Sequence, residues 1–376
     1  MTQLHHPFVV TFYGICDKIV NNEQTAGYDE ERKYMVIELA SGGSLESKIA
    51  EAELIKKLSK SQPNNNTIMP ITQMDMVKWS LQIAAGMSHI HARGFIHRDI
   101  KPQNVLINGV GDALICDLGT VKNMDPNAPT YDKHLIDQYL AMELAAIREA
   151  NPEAPPLMTK RLGTPLYMSP EQQMDKEDYT NAVDVWAYGV LLVRLFTLAW
   201  PYPMNVTTTQ LKIQIARNEL RPYDVKSEDL PHPDLKYIID GCLKYHASGR
   251  SNFEQIEFRL SDILKELKET ELKAAEQKLE ELEIYLKDCD LLQYLNQFIE
   301  EGVTCKEDLK SLAFEDFKNL GMNTIKARQL VKMFSKICLT GGETKNKEMK
   351  TNDYTASDGT VFTLPSAKKQ FNMDMI

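Results

Sequence analysis

The chain contains no CxxC pair. Its six cysteines stand at 16, 116, 242, 289, 305 and 338, a scatter that excludes the usual zinc and redox spacings and fits reduced thiols in a cytosol. No basic segment followed by an apolar run opens the sequence, so no secretory leader is legible. Long apolar runs are scarce as well. The stretch closest to a bilayer length, DVWAYGVLLVRLFTLAWPYP from Asp184, carries Arg194 in its middle and Pro201 and Pro203 at its end, the signature of a helix buried in a large protein core. Positive charge is not in excess: 53 acidic against 43 basic residues leave a formal net charge of -10, which argues against a general nucleic-acid binder. The expectation is a cytoplasmic, globular chain of one to three domains.

What is present changes period along the chain. FVVTFYGIC and KYMVIELA are short β-branched and aromatic runs separated by the polar NNEQTAGYDEER, the pattern of two neighbouring strands and a long turn. Helical spacing dominates from Ser44, interrupted by the loop SKSQPNNNTIMP. Strands and turns return around FIHRDIKPQNVLINGVGDALICDLG, and helices resume near Tyr179. A small sheet followed by a mostly helical body predicts two unequal lobes of an α+β fold. Between Ser261 and Leu282 a Lys-, Glu- and Leu-rich stretch has heptad-like Leu272, Ala275, Leu279, Leu282 and Leu286, too short and too broken near Glu271 for a coiled coil, and reads as a solvated connecting helix. The polar tail from Gly341 has the composition of a disordered segment.

The chemistry concentrates in HRDIKPQN, His97 to Asn104, followed by DLG at Asp117 to Gly119. Phosphoryl transfer needs a carboxylate to orient the attacking hydroxyl and accept its proton, with oxygen ligands for Mg²⁺ and positive charge against the phosphate. Asp99 suits the first task, Asn104 and Asp117 are oxygen donors of the kind Mg²⁺ accepts, and Lys101 offers a cation two residues beyond the candidate base. Either motif alone would read as Asx turns and solvated charges. Their order along the chain is what gives them weight.

With GTPLYMSPE, DVWAYGVLL and the arginine of ASGRSNFEQI arriving in sequence, the chain resembles the eukaryotic protein kinases from its first line to about Leu264. The resemblance implies Asp99 as catalytic base, Lys101 as γ-phosphate contact, and Asn104 and Asp117 as metal ligands, with ATP and Mg²⁺ as cofactors. It also implies a hinge at Glu38, Leu39 and Ala40 whose backbone meets adenine, Leu106 beneath the base, an ion pair between Glu171 and Arg250, and Asp184 anchoring the catalytic loop. Arg98 makes the chain similar to kinases whose activation loop is ordered by phosphorylation. Lys101 and Thr164 resemble serine/threonine kinases, either of the tyrosine-kinase-like or of the mitotic type.

Three departures stand out. Leu118 replaces the usual Phe of DFG. The activation segment, Asp117 to Glu171, is long and carries YDKHLIDQYLAMELAAIREA, an inserted helix by its spacing, which either docks on the substrate groove or is a passive surface insertion; Thr159 is a phosphosite candidate by position. Lastly, no glycine-rich loop, strand lysine or helix glutamate of the family is found ahead of LHHPFVV, and Lys18 and Lys33 flank the turn after the fourth strand. The expectation is therefore a kinase sequence truncated at its N-terminus, inactive alone, with apolar strand surface left uncovered. The competing reading is a pseudokinase scaffold.

YLKDCDLLQYLNQFIEEGVTCKEDLKSLAFEDFKNLGMNTIKARQLVKMFSKI resembles a sterile alpha motif (SAM) domain through Leu286, Tyr294, Phe298, Gly302, Leu309, Leu312, Phe317, Leu320-Gly321-Met322 and the KARQLVKMF helix. That resemblance implies five helices and association with itself or another SAM protein, through Glu315 and Asp316 on one face and Lys326 and Arg328 on another; the same charges also read as ordinary solvated ones. The expected division is 1–40 N-lobe remnant and hinge, 41–265 C-lobe, 266–282 linker, 283–340 SAM domain and 341–376 tail. The expected function is transfer of the ATP γ-phosphate to Ser or Thr hydroxyls of a protein substrate.

Overall fold

A computed structural model describes residues 4–20, 30–61, 69–124, 165–174 and 179–334. Thr159, Thr164, the inserted stretch at 131–150 and the tail from Gly341 lie outside the described residues. The chain divides into two units, Met1–Ala274 and Ala275–Ile376.

In the first unit, β1 (Phe12–Val20) pairs antiparallel with β2 (Glu30–Ile37), Phe12 opposite Ile37. Their apolar residues stand in solvent: Tyr13 and Ile15 are each 67% exposed, and Tyr34, Met35, Val36 and Ile37 are exposed too. The segment before β1 ties this hairpin to the rest, because Val9 forms a parallel bridge with Ile115, Ile115 N–H donates to Phe8 O, and Val10 N–H donates to Ile115 O, each at 2.9 Å.

The helical body is built on period. α1 (Leu45–Ser61) buries Leu45, Ile49 and Ala52, spaced four and three apart on one face. α2 (Gln73–Ala92) starts at a capping box in which Thr72 accepts from Asp75 N–H and the Asp75 side chain accepts from Thr72 N–H. It is buried along most of its length; at Gly86 a Cβ would come within 2.9 Å of Phe8 O, so only glycine lets the N-terminal segment lie against it. After the short α3 (Pro170–Gln173), α4 (Ala182–Thr197) is buried on all sides, from Val183 to Phe196. The apolar stretch is therefore a core helix, each fully buried Leu or Val contributing about 1.5–3 kcal/mol; no helix among the described residues is long and apolar enough to cross a membrane. Arg194, 1% exposed, survives there because Nη2 lies 3.0 Å from Glu46 and 3.1 Å from Glu53, both on α1, and its guanidinium lies over the Trp200 ring. α5 (Thr208–Ala216) and α6 (Asp234–Cys242) complete this body with the start of α7 (Phe253–Asp288), which places Phe253, Ile256, Leu260 and Ile263 in its core.

Three short strand pairs carry the loops of interest. β3 (Phe95–Ile96) pairs with β6 (Lys122–Asn123), and β4 (Val105–Ile107) pairs with β5 (Ala113–Ile115) in register Val105 to Ile115. The turn of the β4–β5 hairpin is fastened to α2: Trp79 Nε1 donates to Gly111 O at 2.9 Å, Gln82 Nε2 donates to Asp112 Oδ1 at 2.7 Å, and Ala113 N–H donates to Gln82 Oε1 at 2.8 Å. Burial alone would raise the Asp112 pKa, but Lys78, 2.8 Å away, and Gln82 outweigh it and hold the carboxyl below its ordinary value.

The second unit has its own core. Leu282 and Leu286, from the end of α7, meet α8 (Leu295–Glu300), α9 (Phe314–Asn319) and α10 (Thr324–Phe334) around Phe298, Phe317 and Phe334. Phe298 and Phe317 meet edge to face at 6.4 Å between centroids. Gly321, at φ 79°, makes the left-handed turn between α9 and α10 that LGM foreshadows.

Candidate active site

The loop between β3 and β4 brings the sequence-predicted residues together. His97 N–H and Arg98 N–H donate to the two oxygens of Asp184, at 2.8 and 2.7 Å, and the His91 ring lies 2.8 Å from the same carboxylate. This clamp holds Arg98 at φ 71°, a left-handed conformation that a side chain with a Cβ resists. Asp184 thus dictates the backbone direction one residue before Asp99. Thr120 Oγ1 donates to His97 O at 2.8 Å, and Arg98 Nε donates to Thr120 O, tying the same loop to the chain after Asp117.

Asp99 is 7% exposed. Lys101 Nζ lies 2.6 Å from its Oδ2, and Asn104 Nδ2 donates to that oxygen at 2.9 Å and to Asp99 O at 2.8 Å. Two donors on one oxygen fix the rotation of the carboxylate. They also spend the Asn104 amide nitrogen on Asp99, so its amide oxygen is the atom offered to a cation.

Asp117 enters through the hairpin. Cys116 N–H donates to Asn104 O at 2.9 Å, extending the β4–β5 ladder so that Asn104, before β4, and Asp117, just past β5, sit at the same end. Asp117 has φ 58° and its carboxylate accepts from Gly119 N–H at 3.4 Å. Leu118 packs against the main core, an apolar role that needs no Phe. An amide oxygen and an exposed carboxylate from neighbouring strand ends are hard, oxygen-only donors, a set that fits Mg²⁺ and not a thiophilic metal.

Residues 38–40, the expected hinge, lead into a segment that meets β4. Glu38 N–H donates to Thr11 O at 2.9 Å, and Thr11 N–H returns a bond to the Glu38 carboxylate at 3.2 Å. Ala40 is half-buried and Leu39 86% exposed. Four residues on, Ser44 bridges to Leu106, and Gly42 N–H donates to Ile107 O at 2.8 Å. A Cβ at Gly42 would lie 2.8 Å from that oxygen, so glycine is required for the hinge exit to reach β4. Glu171 and Arg250 form the expected ion pair. Sequence reasoning missed His91, Thr120 and the Arg194–Glu46–Glu53 cluster.

A buried carboxylate held by a lysine and an amide thus adjoins a strand end that carries a second, exposed carboxylate. The protein kinase domain model matches residues 1–258, and the chain belongs to the protein kinase family; a SAM domain-like model matches residues 282–336. A probable serine/threonine-protein kinase of Dictyostelium discoideum is 32% identical over 50% of this chain and 17% of its own length. The mitogen-activated protein kinase kinase kinase zak-1 of Caenorhabditis elegans is 27% identical over 69% of this chain and 29% of its own length. Fibroblast growth factor receptor 2 of Dugesia japonica is 27% identical over 53% and 18% respectively. The chain thus spans less than a third of these curated relatives.

Proposed function

We propose that this chain belongs to a serine/threonine protein kinase that transfers the γ-phosphate of ATP to protein hydroxyls, and that its SAM-like domain clusters it with itself or with another SAM protein. The observation that carries the reading is the convergence of Lys101 and Asn104 on one oxygen of Asp99. When bound, magnesium ATP supplies the transferred phosphoryl group and the cation that screens its charge. Asp99 orients the acceptor hydroxyl and takes its proton, Lys101 holds positive charge beside the developing phosphate oxygens, and Asn104 and Asp117 hold the metal. Glu38 and Ala40 present backbone groups to adenine, and Leu106 packs beneath it. The resemblance at Lys101 and the relatives named serine/threonine kinases support that acceptor class. Clustering would raise local concentration and favour phosphorylation between copies. The same reading assigns 41–265 to the C-lobe and 283–340 to the SAM domain.

A non-catalytic scaffold built on the same kinase-family domain is the second reading. The test is transfer of radiolabel from ATP to protein by the full-length protein beside its Asp99→Asn variant. Transfer that the substitution abolishes supports the kinase; no transfer from the unsubstituted protein under several activating conditions supports the scaffold. Phosphoamino-acid analysis of the product then distinguishes Ser and Thr from Tyr.

A further inference from the structure

We propose that His6 and His89 form a proton-operated latch that holds the segment ahead of β1 against α2 when neutral and releases it when protonated. The two rings stack with centroids 4.9 Å apart and planes 25° apart. His6 Nδ1 accepts the Phe8 backbone N–H at 3.2 Å, and the Phe8 ring meets the His6 ring edge-on at 5.5 Å. His89 Nε2 is buried without a hydrogen-bond partner.

The Phe8 N–H bond requires an uncharged His6 ring, and the unpartnered Nε2 favours an uncharged His89. An acceptor Nδ1 on His6 has its lone pair in use, so a second proton on that ring must displace the Phe8 bond. A charged His89 would bury a donor with nothing to receive it, face to face with the other ring. Among the described residues, the groups whose charge acts on His89 are Arg93, from the end of α2, and His5, from the segment itself, and both oppose a proton there. No carboxylate pairs with either ring among the described residues. In keeping with this geometry, burial and then the neighbouring His89 lower the His6 pKa, and burial, Arg93 and His5 lower that of His89.

The sign follows directly. With folded values below the ordinary 6.5, the pair stabilises the docked segment fully above that pH, and the contribution is lost as pH falls from 6.5 through the folded values. What the latch controls is local. Phe8 and Val10 bond to Ile115, two residues before Asp117, and the segment leads into β1, which pairs with β2, the strand ahead of residues 38–40. Protonation therefore loosens the attachment of the β1–β2 hairpin to the strand that presents Asp117.

Hydrogen exchange of the full chain at pH 7.5 and 5.5, corrected for the intrinsic exchange rate, tests this. Protection of the Val10 and Ile115 amides should fall by about threefold or more at the lower pH, while amides of α10 keep theirs. In His6→Asn with His89→Gln most of that pH dependence should disappear. An unchanged wild type, or an equal loss in the double variant, overturns the latch. Should the double variant not fold, NMR titration of the wild-type imidazoles decides: values below 6.5 for both rings support the proposal, and values at or above 6.5 overturn it.

Discussion

Arg250 and Glu171 face each other as a two-armed ion pair, Nη1 2.6 Å from Oε1 and Nη2 2.9 Å from Oε2, with the guanidinium fully buried. The remaining guanidinium donors go to the carbonyls of Ala182, Tyr245 and Lys244, and the group lies over the Trp186 ring. One side chain therefore joins α3, the start of α4 and the loop before α7. Removing only the acid strands a buried cation, so Glu171→Leu should cost about 3–5 kcal/mol. Urea unfolding followed through the near-ultraviolet signal measures it; a loss under 1 kcal/mol would show the pair to be dispensable.

Asp184 acts on chemistry through backbone. Asp184→Asn keeps size but gives up the charge that holds His97 and Arg98 N–H, so Arg98 is expected to relax from its left-handed conformation and carry Asp99 with it. In the full-length protein phosphate transfer should fall about a hundredfold, with a stability loss of about 1.5–3 kcal/mol from weakened charged hydrogen bonds. Rate assays and melting on the same preparation check both. Unchanged transfer would remove Asp184 from the positioning role.

Cys116 offers a pH test. Burial, and then the Asp117 carboxylate, push its thiol up to about 12. Since the thiolate is the nucleophile, alkylation of Cys116 in the folded chain should stay slow up to pH 9, while exposed Cys16 reacts. Mass spectrometry of iodoacetamide-treated protein reads the two sites separately, and matching rates would contradict the shielding of the half-buried Cys116.

Phe317 sits between Phe298 and Phe334 with no exposed surface. Phe317→Ala should destabilise the second unit by about 3–5 kcal/mol, seen as lost hydrogen-exchange protection across α8 to α10. Retained protection there would mean that the aromatic trio does not hold the unit together.

Much of this was legible in the sequence because kinase landmarks and SAM spacing are ordered along one dimension. Asp99, Lys101 and Asn104 lie within six residues, so their proximity could be expected; Asp117 followed from the short strands between. His91 could not be found in the same way, since its partner Asp184 is 93 residues distant, nor Thr120, which reaches back 23 residues to His97. Hydrogen bonds at such separations leave no period to read. The break near Glu271 interrupts only the apolar seam, and the connecting helix expected there is part of α7, Phe253–Asp288, because Lys, Glu, Ala and Leu favour helix whether or not a seam is continuous. Asp316, which reads as either a partner contact or a solvated charge, also has a local job that spacing does not show: its carboxylate accepts from Ala313 N–H at 2.6 Å at the start of α9.

Pinning the tip of the β4–β5 hairpin to α2 has an effect on genetics. A three-residue ladder is a short ruler, and Trp79 and Gln82 set its far end while Asn104 and Asp117 occupy its near end. Substitutions at those two distant positions would splay Asn104 and Asp117 without touching them. A screen scoring phosphate output alone would rank Gln82 among the chemical residues, and a melting curve would be needed to move it back among the braces.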